Sequence, residues 1–211
     1  MNRSLPSFLL LLIILGSGFS GCSQSDPETS SSTGQSSLRA CEWCGAMDAP
    51  EDLDWQARIA GAEEPGRPLV LTGTVFETDG TTPAEGVLIY AYHTNSEGIY
   101  EKKGDETGNG QRHGHLRSWV RTGKDGRYQF TTIQPAPYPS NGEPAHVHLS
   151  LTPPEQEEYY ISSTIFQGDP LISEQELQEA EKEGRFSRII HLEEDEDGIL
   201  YGNRDLLLKV E

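Results

Sequence analysis

The chain has 211 residues, with 34 acidic against 16 basic side chains and a formal net charge of −18. Such an acidic chain repels phosphate at most approaches, so nucleic acid is not an expected partner. The length suits one domain of ordinary size plus a tether.

At the N-terminus, Arg3 precedes the apolar run Phe8 to Leu15, and small residues follow up to Gly21-Cys22. The run is too short for a permanent membrane span and reads as a secretory signal over residues 1–21. Phe19-Ser20-Gly21-Cys22 resembles a bacterial lipobox, with Phe19 where Leu is usual. That implies lipid on Cys22 and an exported bacterial lipoprotein, held to the membrane of the cell envelope by its anchor. Losing residues 1–21 removes only Arg3, so the mature charge is one lower, −19. Residues 22–40 are rich in Ser, Thr, Gly and Gln and form a flexible tether. Residues 41–65 open on Cys41-Glu42-Trp43-Cys44, which has three readings: a local disulfide, half of a zinc site, or a redox motif. Zinc would need a second ligand pair nearby, and a thioredoxin-like role would need a βαβ context. A Cys41–Cys44 disulfide is the favoured reading.

From residue 66 to 211 the pattern is that of strands. They run Val70–Glu77, Val87–His93, Leu116–Thr122, Arg127–Ile133, His146–Thr152, Tyr159–Phe166, Arg188–Leu192 and Leu206–Val210, with Gly, Pro, Asn and Asp turns between them. Gly123-Lys124-Asp125-Gly126 has hairpin-turn composition. One helix is expected, starting at Ser173 with Glu176 completing a capping box and stopping at Gly184. The fold class is all-β: a β-sandwich of mostly antiparallel strands with one short C-terminal helix. Glu193-Glu194-Asp195-Glu196-Asp197-Gly198 lacks calcium-loop spacing and reads as an exposed acidic turn.

Chemistry concentrates in Pro135-Ala136-Pro137-Tyr138-Pro139 and Glu143-Pro144-Ala145-His146-Val147-His148. In a strand, residues i and i+2 leave the same face, so His146 and His148 can hold one metal while Val147 points into the opposite layer. Prolines on both sides of Tyr138 restrict how its ring is aimed. Imidazole suits several transition metals, whereas a phenolate favours a hard acid such as Fe(III). At this point the sequence resembles the intradiol ring-cleavage dioxygenases, the catechol and protocatechuate family. The resemblance runs through Gly73-Thr74-Val75 to Tyr92, read as an opening hairpin, then Gly98-Ile99-Tyr100, Asp125 to Ile133, and Phe166 to Ile172. It implies Fe(III) held by Tyr100, Tyr138, His146 and His148. It also implies that Tyr138 is the catalytic ligand displaced by substrate, and that O₂ opens a catechol-type ring to a muconate-type diacid.

One departure affects the substrate pocket. Glu143 stands where family members carry an arginine that stabilises the electron-rich substrate. Arg112, Arg117 and Arg121 are the cations that could substitute. The alternative function is a metal-binding or ligand-binding surface lipoprotein that kept the sandwich and lost the chemistry. His113 and His115 form a second His-x-His, expected in a loop as exposed or hydrogen-bonded side chains, with a metal or acid/base pair as the other reading. His93 and His191 are expected to be structural. Tyr90, Tyr92, Tyr128, Tyr159 and Tyr160 are expected to be packing residues.

Overall fold

The computed structural model describes residues 45–140 and 142–209. The signal, the lipid anchor at Cys22, the tether and the Cys41–Cys44 pair lie outside the described residues. In chain order the elements are β1 (Gln56–Arg58), β2 (Pro68–Phe76), β3 (Leu88–His93), α1 (Gly110–His113), β4 (Arg117–Arg121), β5 (Arg127–Ile133), β6 (His146–Thr152) and β7 (Tyr159–Tyr160). These are followed by β8 (Thr164–Phe166), α2 (Glu174–Glu183), β9 (Ile189–Ile190), β10 (Leu192–Glu194), β11 (Leu200–Asn203) and β12 (Leu206–Leu207).

Two sheets face each other. The first has the order β1-β5-β2-β11-β10, with β12 also on β2, and the second β4-β3-β6-β8-β9, with β7 also on β6. Among the described residues, six of the ten pairings are antiparallel and four are parallel, so the mostly antiparallel sandwich is as the sequence reads. The period of two builds the core between the layers. Leu69, Leu71 and Val75 of β2 are fully buried, and Ile89 and Ala91 of β3 sit in register with Leu151 and Leu149 of β6 in the same core.

Two turns differ from the reading. Gly123 to Gly126 does close a turn, the Gly126 N–H donating to the Gly123 carbonyl at 2.9 Å. Yet β4 pairs with β3 and β5 with β2, so the turn carries the chain from one sheet to the other. The expected opening hairpin is likewise a crossover from β2 to β3. A two-layer core explains both: Val120 and Phe130 are each fully buried, and placing their strands in facing layers covers both apolar faces. The sandwich also takes in residues ahead of residue 66, where the sequence placed a separate segment, because β1 pairs in parallel with β5. The strand expected over Tyr159–Phe166 is broken into β7 and β8.

Ser173 caps α2 as expected: its Oγ accepts from the Glu176 N–H at 3.2 Å, and its own N–H donates to Glu176 Oε2 at 2.9 Å. The acidic run closes the β10–β11 hairpin. Asp195 Oδ1 accepts from the N–H groups of Asp197 and Ile199 at 3.0 and 2.9 Å, holding the turn.

Candidate metal centre and cavity

The outer face of the second sheet carries the chemistry. Register places Tyr92 opposite both His148 and Arg117, and Tyr90 opposite Ser150 and Trp119. His146 and His148 share that face, while Val147 between them is fully buried in the core. Two loops bring the tyrosines over this face. Asn95 organises the first: its Oδ1 accepts from the N–H groups of Glu97 and Ile99, both at 3.0 Å. It also ties that loop to the second, since the Ala136 N–H donates to the Asn95 carbonyl at 3.1 Å and Thr94 Oγ1 donates to the Ala136 carbonyl at 2.7 Å. Gly98 allows the final approach, because with φ +79° a Cβ there would lie 2.1 Å from the Pro137 carbonyl oxygen.

The four residues named from sequence meet. Tyr100 and Tyr138 hydroxyls lie 2.6 Å apart. Tyr138 Oη is 3.2 Å from Nε2 of both His146 and His148, and the two Nε2 atoms are 3.0 Å apart. The His146 ring is oriented from behind. Its Nδ1 faces the Pro144 carbonyl at 2.7 Å and so carries the hydrogen, leaving the Nε2 lone pair aimed into the cluster. His148 Nδ1 meets Ser163 Oγ at 3.1 Å. Asp169, in the segment read as flanking the site, accepts from the Ala145 N–H at 3.0 Å, one residue before His146.

This donor set fits a metal ion. Two imidazole nitrogens 3.0 Å apart must share either a proton or a cation. Burial, with the charge of His146 next, pushes His148 down to about 3, so it is a neutral ligand at ordinary pH. Both phenols are pushed up, Tyr138 by burial and then by Glu143, partly offset by its bond to Tyr100. Tyr100 is pushed up by burial and then by its bond to Tyr138. Without a cation they stay protonated; a cation's charge would favour ionisation.

A cavity of about 690 Å³ opens on this cluster, lined by Tyr92, Tyr100, Arg112, His113, Tyr138, His148, Tyr160 and Ile161 to Ser163. Tyr92 and Tyr160, read as packing residues, are therefore cavity wall. The Tyr92 ring stacks on His148 at 4.5 Å and on His113 at 3.7 Å between centroids, and its hydroxyl meets that of Tyr160 at 3.3 Å. The alternation Tyr90-Ala91-Tyr92 carried the signal, since one tyrosine face of β3 had to lie opposite the aliphatic core face.

The remaining assignments divide. Of the three arginines, Arg112 lines the cavity. Arg117 does not: its guanidinium pairs with Asp48 at 3.1 Å and lies 5.0 Å over the Trp119 ring. Arg121 stands at the other end of β4, opposite Leu88, bonded to the Gly86 carbonyl at 3.2 Å. As substrate-binding cations both are corrected by strand register, which carries Arg121 away from the site, and by Asp48, which holds Arg117. Glu143 is exposed and lies outside the cavity lining, but its charge reaches both phenols. His113 is buried in α1, with Nδ1 2.7 Å from the Tyr90 hydroxyl, rather than in an exposed loop. His115 points elsewhere, to Glu64, so the second His-x-His does not act as a pair. His93 is structural, bonded to the Thr94 carbonyl and Thr132 Oγ1.

Comparisons with known proteins agree with this fold. A family model described as Dioxygenase matches residues 45–202. Catechol 1,2-dioxygenase 1 of Acinetobacter lwoffii is 36% identical over 126 residues, covering 52% of this chain and 39% of the relative. The protocatechuate 3,4-dioxygenase beta chain of Burkholderia cepacia is 29% identical over 154 residues, covering 69% of this chain and 65% of the relative. The chain thus spans less than two thirds of the length of these relatives. Among solved structures, the dioxygenase domain of a dioxygenase–carbohydrate-binding fusion from Streptomyces sp. SirexAA-E superposes with a TM-score of 0.56 at 24% identity, covering 77% of this chain and 92% of that domain. Catechol 1,2-dioxygenase from Acinetobacter sp. ADP1 gives 0.57 at 21% identity, covering 76% of this chain and 58% of the other. Fold and site define a β-sandwich of the dioxygenase class. The chain belongs to the intradiol dioxygenase family, whose members use iron.

Proposed function

We propose that the protein is an intradiol dioxygenase that binds Fe(III) through Tyr100, Tyr138, His146 and His148 and opens a catechol-type ring with O₂ to a muconate-type diacid. The observation that carries this is the meeting of two phenol oxygens and two imidazole nitrogens at the mouth of an aromatic-walled cavity. Bound Fe(III) would supply Lewis acidity and draw electron density from the diol so that it reacts with O₂. The protein's part is proton handling and positioning. As a phenolate, Tyr138 Oη, with its proton affinity raised by burial, would be the base that takes a proton from a substrate hydroxyl. Tyr92, Tyr160 and Ile161 offer flat and apolar walls to an aromatic ring, and Arg112 places a cation at the cavity lining. His146, Tyr100 and the Pro144 carbonyl keep the remaining donors in place.

The N-terminal motif supports an exported form anchored to the cell envelope by lipid on Cys22, with Cys41 and Cys44 joined to each other. The activity test follows O₂ uptake and product mass for iron-loaded protein offered catechols, hydroxyquinols and protocatechuate-like acids. Uptake with a ring-opened diacid is expected, and Glu143→Gln should lower both phenol pKa values by removing a nearby negative charge. Binding without O₂ uptake would leave a metal-binding module; no binding by any diol would remove the dioxygenase reading.

A further inference from the structure

One residue past Tyr100, a separate group of ligating side chains gathers. Donor atoms of Glu64, Glu101 and His115 all lie within 4.8 Å of one another. His115 Nδ1 faces the Glu101 carbonyl oxygen at 2.9 Å, and its Nε2 faces Glu64 Oε2, also at 2.9 Å. The carbonyl oxygen is only an acceptor, so the single hydrogen of a neutral imidazole belongs on Nδ1. The Nε2 lone pair then points at a carboxylate oxygen. Two electron pairs at that distance require a second proton or a cation between them. The surroundings also suit a cation. The Glu64 and His115 side chains are only 7% and 11% exposed. A backbone carbonyl fixes the imidazole from behind, as ligating histidines commonly require, and Asn95 Nδ2 donates to Glu101 Oε2 at 3.2 Å, orienting that carboxylate. Glu64 also lines a cavity of about 330 Å³ with Arg58, Gly66 and Thr131.

We propose that Glu64, Glu101 and His115 form a second metal site, for a divalent cation of the zinc type, distinct from the two-tyrosine, two-histidine cluster. One imidazole with two carboxylates is a donor set that zinc accepts, leaving a fourth position for water. Lys103 Nζ, 3.6 Å from Glu64 Oε2, is the competing cation, and its side chain is 62% exposed, so it can give way into solvent. The exposed Glu101 side chain supplies the adjustment needed to close the ligand distances. A bound ion would join three segments: the turn around Glu64, the residue after Tyr100, and the turn after α1. Gly114 already packs there, where a Cβ would lie 2.5 Å from the Glu101 carbonyl. The role is to staple these three segments together.

The test titrates Zn²⁺ into the full, iron-loaded protein and reads stoichiometry by calorimetry and stability by thermal melting. One Zn²⁺ per chain is expected, with a midpoint rise of roughly 5–10 °C at a hundredfold excess over Kd. Glu64→Gln keeps side-chain shape and should weaken zinc binding by roughly a hundredfold, as should His115→Ala, with iron content unchanged. Should His115→Ala fail to fold, the isosteric Glu64→Gln decides. No zinc uptake would mean an imidazolium–carboxylate bond only. Uptake unchanged in Glu64→Gln, or lost instead in His146→Ala, would place the zinc elsewhere. Either result overturns the proposal without bearing on the iron reading.

Discussion

At the scale of single residues, the two histidines of β6 do different work although they share a strand face. His146 is locked by the Pro144 carbonyl, whereas His148 is held by the Ser163 hydroxyl and stacked on Tyr92. Each would contribute one nitrogen to the proposed iron, so removing either should abolish most iron binding. His146→Ala and His148→Ala are expected to lose iron by at least about a hundredfold in affinity, while Tyr138→Phe keeps part of it with an altered colour, one phenolate donor being gone. Chelator competition with optical spectra checks this; parent-like iron content in both histidine variants would move the site elsewhere. These candidate ligands were legible because their chemistry depends on residue type and spacing. Tyr160 was not, because a tyrosine in a strand looks alike whether it faces a core or a cavity.

Among the elements, the loop of Asn95 to Tyr100 and the loop of Pro135 to Pro139 matter most, since neither belongs to a sheet yet together they place both phenols. Their contact is backbone against backbone at Gly98, and no side chain fits there. Gly98→Ala must displace the Pro137 carbonyl or abandon the positive φ, and is expected to destabilise the fold by about 2 kcal/mol. The separation of Tyr100 from Tyr138 should then cost iron affinity as well. Urea unfolding and iron titration of the same variant measure the two effects, and a variant matching the parent in both would contradict the role assigned to this contact. The sequence announced a proline-clamped loop, and Gly98-Ile99-Tyr100 by resemblance, but their contact spans nearly forty residues and had no local sign.

For the whole molecule, buried neutral histidines bear on the response to acid. His93 is almost wholly buried, and burial lowers it to about 4 from an ordinary 6.5. The unfolded chain therefore takes up this proton near 6.5 while the folded chain resists until about 4. The stabilisation is complete above 6.5 and is lost as pH falls through that window, a change of about 3 kcal/mol from this residue. Metal-free His93→Gln should show a shallower loss of stability between those pH values, read from urea midpoints across the range. Equal slopes in parent and variant would show that other groups govern the acid response.

What the sequence determined by itself was whatever depends on neighbours along the chain: strands of period two, the capped helix at Ser173, the His146–His148 face and the proline clamp on Tyr138. Tertiary structure alone decided which layer each strand joined, turning the Gly123–Gly126 turn into a crossover. It also decided which arginine faced the cavity: Arg112, since Asp48 held Arg117 and register carried Arg121 to the far end. It split His113 from His115 as well, burying one against Tyr90 and giving the other to Glu64. The reason is physical. Periodicity and capping are local energies written in adjacent residues, whereas layer, partner and cavity depend on which distant surfaces bury one another best.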